Sequence, residues 1–282
     1  MTIDTHHMDR TLHVALNDDL AMPRLGFGVF QIPPEQTADA VSHALATGYR
    51  AVDTAAAYGN EAEVGDAIRD GELDREEVFV TTKVWSNDHG REPALRAFDR
   101  SLDRLGFDYV DLYLIHWPTP ARDLYVETWE ALIECRRDGR ARSIGASNFE
   151  IEHLERIIDA TGVVPAVNQV ELHPRLQQSE LRRFHSEHGI ATEAWSPLAK
   201  GDVLDDPAIT GLAPRYDRTP AQIVLRWHLQ LGNVVIPKSE TPARIEENFD
   251  VFDFELDDAA MRSIESLDAG ERTGPNPNSF NG

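Results

Sequence analysis

From residue 25 onward, short apolar runs alternate with longer stretches in which apolar residues recur every three or four positions. The runs fall at 25–28, 50–53, 78–83, 109–115, 141–145, 166–170, 190–195 and 233–236, and they predict strands. The stretches between them predict helices. Those at 35–47, 91–105 and 125–138 are each followed by glycine (Gly48, Gly106, Gly139), the residue that tolerates the backbone just past a helix end. Thr219–Pro220 and Thr241–Pro242 each place an N-cap before a proline at the first helical position. Ahead of this series, residues 11–22 (TLHVALNDDLAM) predict a hairpin turning at Asn17–Asp18–Asp19.

Strand and helix in strict alternation imply a parallel sheet covered by helices. An open dinucleotide-binding sheet would carry G-x-G-x-x-G after an early strand. Gly26–Phe27–Gly28 lacks the third glycine and runs into Pro33–Pro34 instead. About eight units without that fingerprint favour a closed (β/α)8 barrel, whose chemistry gathers at the C-terminal ends of its strands. No linker, low-complexity stretch or internal repeat interrupts the 282 residues, so one domain is expected over 1–282, with 1–10 and 270–282 as flexible tails.

The strand ends are therefore where to look for polar residues. The second strand ends in Asp53, with Tyr58 in the loop beyond; the third ends in Lys83; the fourth runs apolar up to His116. A carboxylate, an ammonium, an imidazole and a phenol thus meet on one rim. A free phenol has a pKa of about 10. An adjacent ammonium would lower it, and a carboxylate would hold that ammonium charged. Tyr58 could then protonate a carbonyl oxygen, with His116 orienting the carbonyl. The bland alternative is an ion pair Asp53–Lys83 that seals the rim, with Tyr58 and His116 as packing.

No nucleophile with a base partner is evident to attack the carbonyl carbon, and metal ligation is poorly served. His6–His7 lie in the terminus, and His185 and His188 are expected to face solvent beside Arg183 and Glu187. A hydride donor fits better. Ser147–Asn148 and Gln169 end later strands and could meet a carboxamide through hydroxyl and amide groups. Trp195 offers a flat ring for stacking. Ser196–Pro197–Leu198 opens a loop able to present backbone groups to a pyrophosphate. Lys238 and Ser239 precede a helix with Arg244 in its first turn, an arrangement suited to a phosphate.

Composition narrows the partners. Of 27 basic residues only Lys83, Lys200 and Lys238 are lysines, which singles out those positions before any motif does. With 49 acidic residues the net charge is −22, which argues against nucleic acid and suggests a surface adapted to high salt. Cys135 is the single cysteine, so no internal disulfide is possible, and a packed thiol is expected. No apolar run approaches membrane-spanning length, and MTIDTHHMDR is polar, so a cytoplasmic protein is expected.

With these residues in place, the chain resembles the aldo-keto reductases along nearly its whole length. The matching segments are MPRLGFGVF (22–30), DTAAAYGNEAEVG (53–65), TTKVW (81–85), DLYLIHWP (111–118), IGASNF (144–149), NQVELHP (168–174), EAWSPL (193–198) and IPKSETPARIEEN (236–248). The resemblance, nearest to prokaryotic members similar to 2,5-diketo-gluconate reductases, implies a (β/α)8 barrel with an N-terminal hairpin capping its base. It implies NADPH-dependent reduction of a small-molecule carbonyl, with NADH less favoured, and no metal. Asp53, Tyr58, Lys83 and His116 match the catalytic four. Ser147, Asn148, Gln169, Trp195, Ser196 and Leu198 match nicotinamide and pyrophosphate contacts. Lys238, Ser239 and Arg244 match the 2′-phosphate site, and Glu247 and Asn248 the adenine site. Phe30, Trp85 and Trp117 fall where the family lines its substrate pocket. A monomer is expected. Ala199 and Glu240 depart from the pattern, one in the pyrophosphate loop and one beside the phosphate site.

Overall fold

The computed structural model describes residues 12–282; His6 and His7 lie outside them. Strands β1 (His13–Ala15) and β2 (Ala21–Pro23) form the expected hairpin, paired antiparallel from His13↔Pro23 to Ala15↔Ala21.

The eight predicted runs then appear in order as β3 (Phe27–Gly28), β4 (Ala51–Asp53), β5 (Phe79–Val84), β6 (Val110–Ile115), β7 (Ala141–Ser147), β8 (Val167–Glu171), β9 (Ala191–Trp195) and β10 (Val234–Val235). Each pairs in parallel with its sequence neighbour. The circle closes where Val235 N donates to Arg24 O (3.0 Å), Gly26 N to Val235 O (2.9 Å) and Gly28 N to Pro237 O (3.2 Å). Glycine relieves crowding at this seam. A Cβ on Gly28 would lie 3.0 Å from Ile236 O, and one on Gly26 3.1 Å from the Ile236 side chain.

Helices cover the outside: α1 (Pro34–Thr47), α2 (Glu61–Arg69), α3 (Arg91–Leu105), α4 (Tyr125–Arg137), α5 (Ile151–Thr161), α6 (Ser179–His188), α7 (Pro207–Tyr216), α8 (Pro220–Gln230), α9 (Pro242–Phe249) and α10 (Asp258–Glu265). None is long and apolar enough to cross a membrane. The two Thr-Pro starts differ in detail. Thr219 caps α8 reciprocally, accepting from Gln222 N (3.3 Å) while its own N–H donates to Gln222 Oε1 (2.9 Å). Thr241 occupies the N-cap of α9 without a side-chain bond, and Ser239 Oγ accepts the Thr241 N–H instead (3.1 Å).

The barrel has two apolar layers. One lies between strands and helices and includes Val41, Phe98, Trp129, Leu154 and Trp227. The other fills the lower bore with Ala51, Phe79, Leu112, Leu114, Val167 and Val234, and Leu16 and Met22 of the hairpin close it from below. Side chains two apart on a strand share a face. Continuing upward from that plug, the inward positions therefore become Asp53, Lys83, His116, Gln169 and Glu193. The same alternation that builds the plug delivers the polar groups to the opposite mouth.

Two expectations about single residues meet different outcomes. Cys135 is buried in α4, where loss of hydration pushes its thiol up to about 12. His185 does not face solvent. With Leu181 and Phe184 it forms the buried stripe of α6, and its ring bonds to Asn168 Nδ2 and Thr192 Oγ1 (both 2.9 Å). Burial holds it down at about 3, a neutral packing group. His188 is exposed, stacked on Phe184 at 4.0 Å.

Residues 270–282, expected as a flexible tail, form no helix or strand but lie across the barrel mouth. Glu171, at the end of β8, accepts from Thr273 N (2.6 Å), Thr273 Oγ1 (2.8 Å) and Gly274 N (3.1 Å). Arg272 reaches Glu150 (2.7 Å), and Lys200 Nζ donates to Thr273 O (2.8 Å).

Candidate active site

Asp53 and Lys83 are the last inward residues of β4 and β5, so their side chains enter the mouth together. Lys83 Nζ donates to Asp53 Oδ1 (2.6 Å), to Thr54 O (2.9 Å) and to the Tyr58 hydroxyl (3.3 Å). All three ammonium protons are thereby used inside a site where Lys83 has no exposure. Tyr58 closes a one-turn 3-10 segment, Ala56–Tyr58, that Gly59 ends in the left-handed region (φ 70°). Asn60 anchors that loop from below, donating to Val29 O (3.1 Å) and Ile32 O (3.3 Å) and accepting from Thr54 Oγ1 (2.9 Å).

Burial pushes the Tyr58 phenol up, against the pull of Lys83 downward. The net direction is opposite to the lowering expected from the ammonium alone, because removing water from a phenolate costs more than one paired cation returns. Burial pulls Lys83 down, but Asp53, Tyr58 and Glu193 together outweigh it and hold the ammonium above its usual value. His116 lies within ring contact of Tyr58 (5.5 Å) and Trp85 (5.1 Å). Burial, with Lys83 and His89 nearby, drives it well below the ordinary histidine range, so its ring is neutral. Neither of its ring nitrogens has a hydrogen-bond partner among the described residues, and Nδ1 is fully enclosed.

The three aromatic positions expected to line a pocket surround this group. Phe30 is exposed and 5.0 Å from the Tyr58 ring, and Trp117 is buried beside His116. A fourth ring joins them from the tail: Phe280 packs 4.4 Å from Trp117 and 6.3 Å from Trp85.

The amide side of the mouth is equally connected. Ser147 Oγ donates to Gln169 O (2.9 Å). Asn148, at φ 62°, turns its amide back to donate to His116 O (2.9 Å) and Ser147 Oγ (3.1 Å) and to accept from Trp195 Nε1 (2.8 Å). Gln169 Nε2 donates to Asp53 Oδ2 and to Glu193 Oε2, both at 2.8 Å. Its two N–H groups are therefore committed inside the barrel, and Oε1 has no partner among the described residues. After β9 the chain passes Ser196 (φ 48°), Leu198, Ala199 (φ 48°) and Lys200 (φ 57°). Ala199 thus adopts the left-handed backbone for which glycine is the easier residue.

The remaining positions are at the far end of the mouth. Lys238 forms an ion pair with Glu240. Ser239 is buried at the start of α9, and Arg244 is exposed without a partner among the described residues. Glu247 accepts from Thr219 Oγ1 (2.8 Å), and Asn248 is buried. Sequence reasoning missed Glu193, Glu171 and Phe280. The first two were visible as acidic residues at inward strand positions, and the third as the one aromatic residue in the Gly/Pro/Asn segment.

The sequence matches the Aldo/keto reductase family over residues 24–269. It is 59% identical over 268 residues to an aldo-keto reductase of Mycobacterium sp. (strain KMS), covering 95% of this chain and 97% of that one. It is 52% identical over 271 residues to methylglyoxal reductase DkgA of Escherichia coli (strain K12), covering 95% and 98%. The crystal structure of apo Gox0644 superposes with a TM-score of 0.92 at 52% identity, covering 95% of this chain and 98% of that one. A D53A mutant of Gox0644 in complex with NADPH gives 0.92 at 51%, with the same coverage. The closed ring of eight parallel strands, the hairpin beneath it and these likenesses along the chain agree: this protein belongs to the aldo/keto reductase family.

Proposed function

We propose that the protein reduces aldehydes and ketones to alcohols with NADPH, using Tyr58 as the general acid. One observation carries the reading. Asp53, Lys83 and Tyr58 form a continuous hydrogen-bonded chain that ends in a phenol beside a neutral His116.

The raised pKa of Tyr58 keeps its proton in place at neutral pH, so the phenol reaches the reaction as an acid. As negative charge grows on the carbonyl oxygen, Tyr58 passes that proton to it. Lys83, held charged by Asp53, then stabilises the phenolate left behind. The uncharged imidazole of His116 orients the carbonyl oxygen without competing as an acid. Phe30, Trp85, Trp117 and Phe280 enclose the substrate in apolar rings, which favours small carbonyl compounds over charged ones.

When bound, NADPH supplies the hydride that adds to the carbonyl carbon. The residues present suit it. Gln169 Oε1 is an acceptor without a partner among the described residues, fitted to a carboxamide N–H, and Ser147 and Asn148 stand beside it. Trp195 is fixed edge-on by Asn148, which leaves a ring face for the nicotinamide. Ser196 and Leu198 start the loop assigned to the pyrophosphate. Lys238, Ser239 and Arg244 are assigned to the 2′-phosphate, and Glu247 and Asn248 to the adenine. NADH lacks that phosphate and is the weaker cofactor. The reading extends to a cytoplasmic monomer whose net charge of −22 suits high salt.

The DkgA relatives make methylglyoxal the first substrate to assay, followed by a panel of aldehydes and ketones. Steady NADPH consumption by the wild type and a fall of at least about 10²-fold in kcat for Tyr58→Phe are expected. Near wild-type turnover by Tyr58→Phe would remove Tyr58 as the acid.

A further inference from the structure

The barrel mouth holds one buried carboxylate more than the reaction needs. Glu193 is 1% exposed on β9, on the same face as Trp195. It stands directly opposite Gln169 in the parallel register of β8 and β9. Gln169 Nε2 spans from Glu193 Oε2 to Asp53 Oδ2, so a single amide joins two acids. Asp53 binds Lys83, and Lys83 binds Tyr58. Glu193 is thus the far end of an unbroken chain, Glu193–Gln169–Asp53–Lys83–Tyr58, that runs through the bore.

A second acid facing one ammonium is a poor structural choice. A neutral amide at position 193 could accept the same Gln169 N–H without the cost of placing a charge there. We infer that Glu193 is a positioning residue for the reaction. It pins the Gln169 amide so that Oε1 alone faces the cofactor, and once ionised on the alkaline side it places a second negative charge behind the Lys83–Tyr58 pair. The inference rests on the reading of Tyr58 as the acid and NADPH as the cofactor.

The groups around Glu193 are few. Asp53 comes from β4, Lys83 from β5 and Tyr58 from the turn beyond β4, while β8 gives Gln169 and β10 gives Val234. Glu171, two residues past Gln169, is turned to the tail. Burial, reinforced by Asp53, raises Glu193 to about 8. Above that pH it adds negative charge that raises the pKa of Tyr58, and the phenol keeps its proton further into the alkaline range. Loss of the charge should therefore move the alkaline limb of activity to lower pH.

Two variants separate the two effects. Glu193→Gln keeps an acceptor for Gln169 and removes the charge. In the cofactor-free protein, the phenol-to-phenolate absorbance of Tyr58, assigned by its loss in Tyr58→Phe, should titrate at a pH lower by about half a unit or more. The alkaline limb of kcat/KM should follow it. Glu193→Asp keeps the charge but withdraws it from Gln169. NADPH binding, read by quenching of tryptophan fluorescence, should weaken about fivefold, the worth of one hydrogen bond.

An unmoved Tyr58 titration in Glu193→Gln overturns the electrostatic part, and unchanged NADPH affinity in Glu193→Asp overturns the pinning. If Glu193→Gln fails to fold, the Asp variant still decides the second point. A failure of the general-acid reading would show separately, as turnover retained by Tyr58→Phe, and would leave the titration of the phenol to be judged by itself.

Discussion

The two ends of the barrel mouth hold their charges differently. At the Tyr58 end the groups bind one another. Lys83 spends every proton on fixed acceptors, and Gln169 commits both of its N–H groups. At the α9 end Arg244 is exposed and unpaired among the described residues, and Lys238 is paired only with Glu240 at a surface where both side chains keep about a third of their exposure (33% and 39%). A buried pair that loses one member leaves a stranded charge, whereas an exposed pair is worth about 0–1 kcal/mol. One end is therefore built for geometry that does not change from turnover to turnover. The other leaves its cations able to exchange a weak internal partner for the 2′-phosphate proposed above.

Breaking the buried end should have the largest effect. Lys83→Met removes the one cation facing Asp53 and Glu193. It is expected to lower kcat by about 10³-fold or more and to cost about 3–5 kcal/mol of stability, read from denaturant unfolding. A variant that stays as stable as the wild type would mean that the acids simply take up protons, and the contrast between the ends would collapse.

Arg244→Ala tests the open end. Charge-assisted hydrogen bonds are worth roughly 1.5–3 kcal/mol, so the NADPH dissociation constant should rise about tenfold to a hundredfold while that of NADH hardly moves. Unfolding free energy should stay within about 0.5 kcal/mol. Equal weakening of both cofactors would make Arg244 structural.

Glu240→Val sharpens the comparison further. It frees Lys238 from its internal partner, and NADPH should bind about two- to fivefold tighter, with the gain fading in molar salt as screening shortens to about 3 Å. A gain that is independent of salt would argue for packing instead of charge. The smallest expected effect is global. With a net charge of −22, the melting temperature should rise modestly with KCl toward molar concentrations, and a flat profile would detach the acidity from salt.

Much of this was legible in the sequence because barrel strands obey a period of two and end at the working face. Asp53, Lys83 and His116 stand out as polar residues that end apolar runs. Among the missed and misjudged positions, three have separable causes. Glu193 is two positions short of the strand end, so a search of strand termini passes over it, although the inward phase of Trp195 points to it. His185 was read by its charged neighbours Arg183 and Glu187 instead of by its spacing from Leu181, which is the buried spacing of α6. Phe280 depends on how the last residues cross the mouth, and no local pattern encodes that path. The direction of the Tyr58 shift was likewise out of reach, since it balances burial against Lys83 and only three-dimensional packing sets the first.

The enclosure of Lys83 has a chemical consequence. Aldehydes condense with amines to form imines, and the amine must be neutral and reachable to do so. Under the proposed function, the aldehyde substrates are themselves reagents for the protein's lysines. Of the three in this chain, Lys238 and Lys200 are exposed, but Lys83 has no exposed surface, is held protonated, and has each N–H engaged. The amine of the Asp53–Lys83–Tyr58 chain is thereby shielded from condensation with any aldehyde that enters the mouth, and adducts on the exposed lysines would leave it untouched.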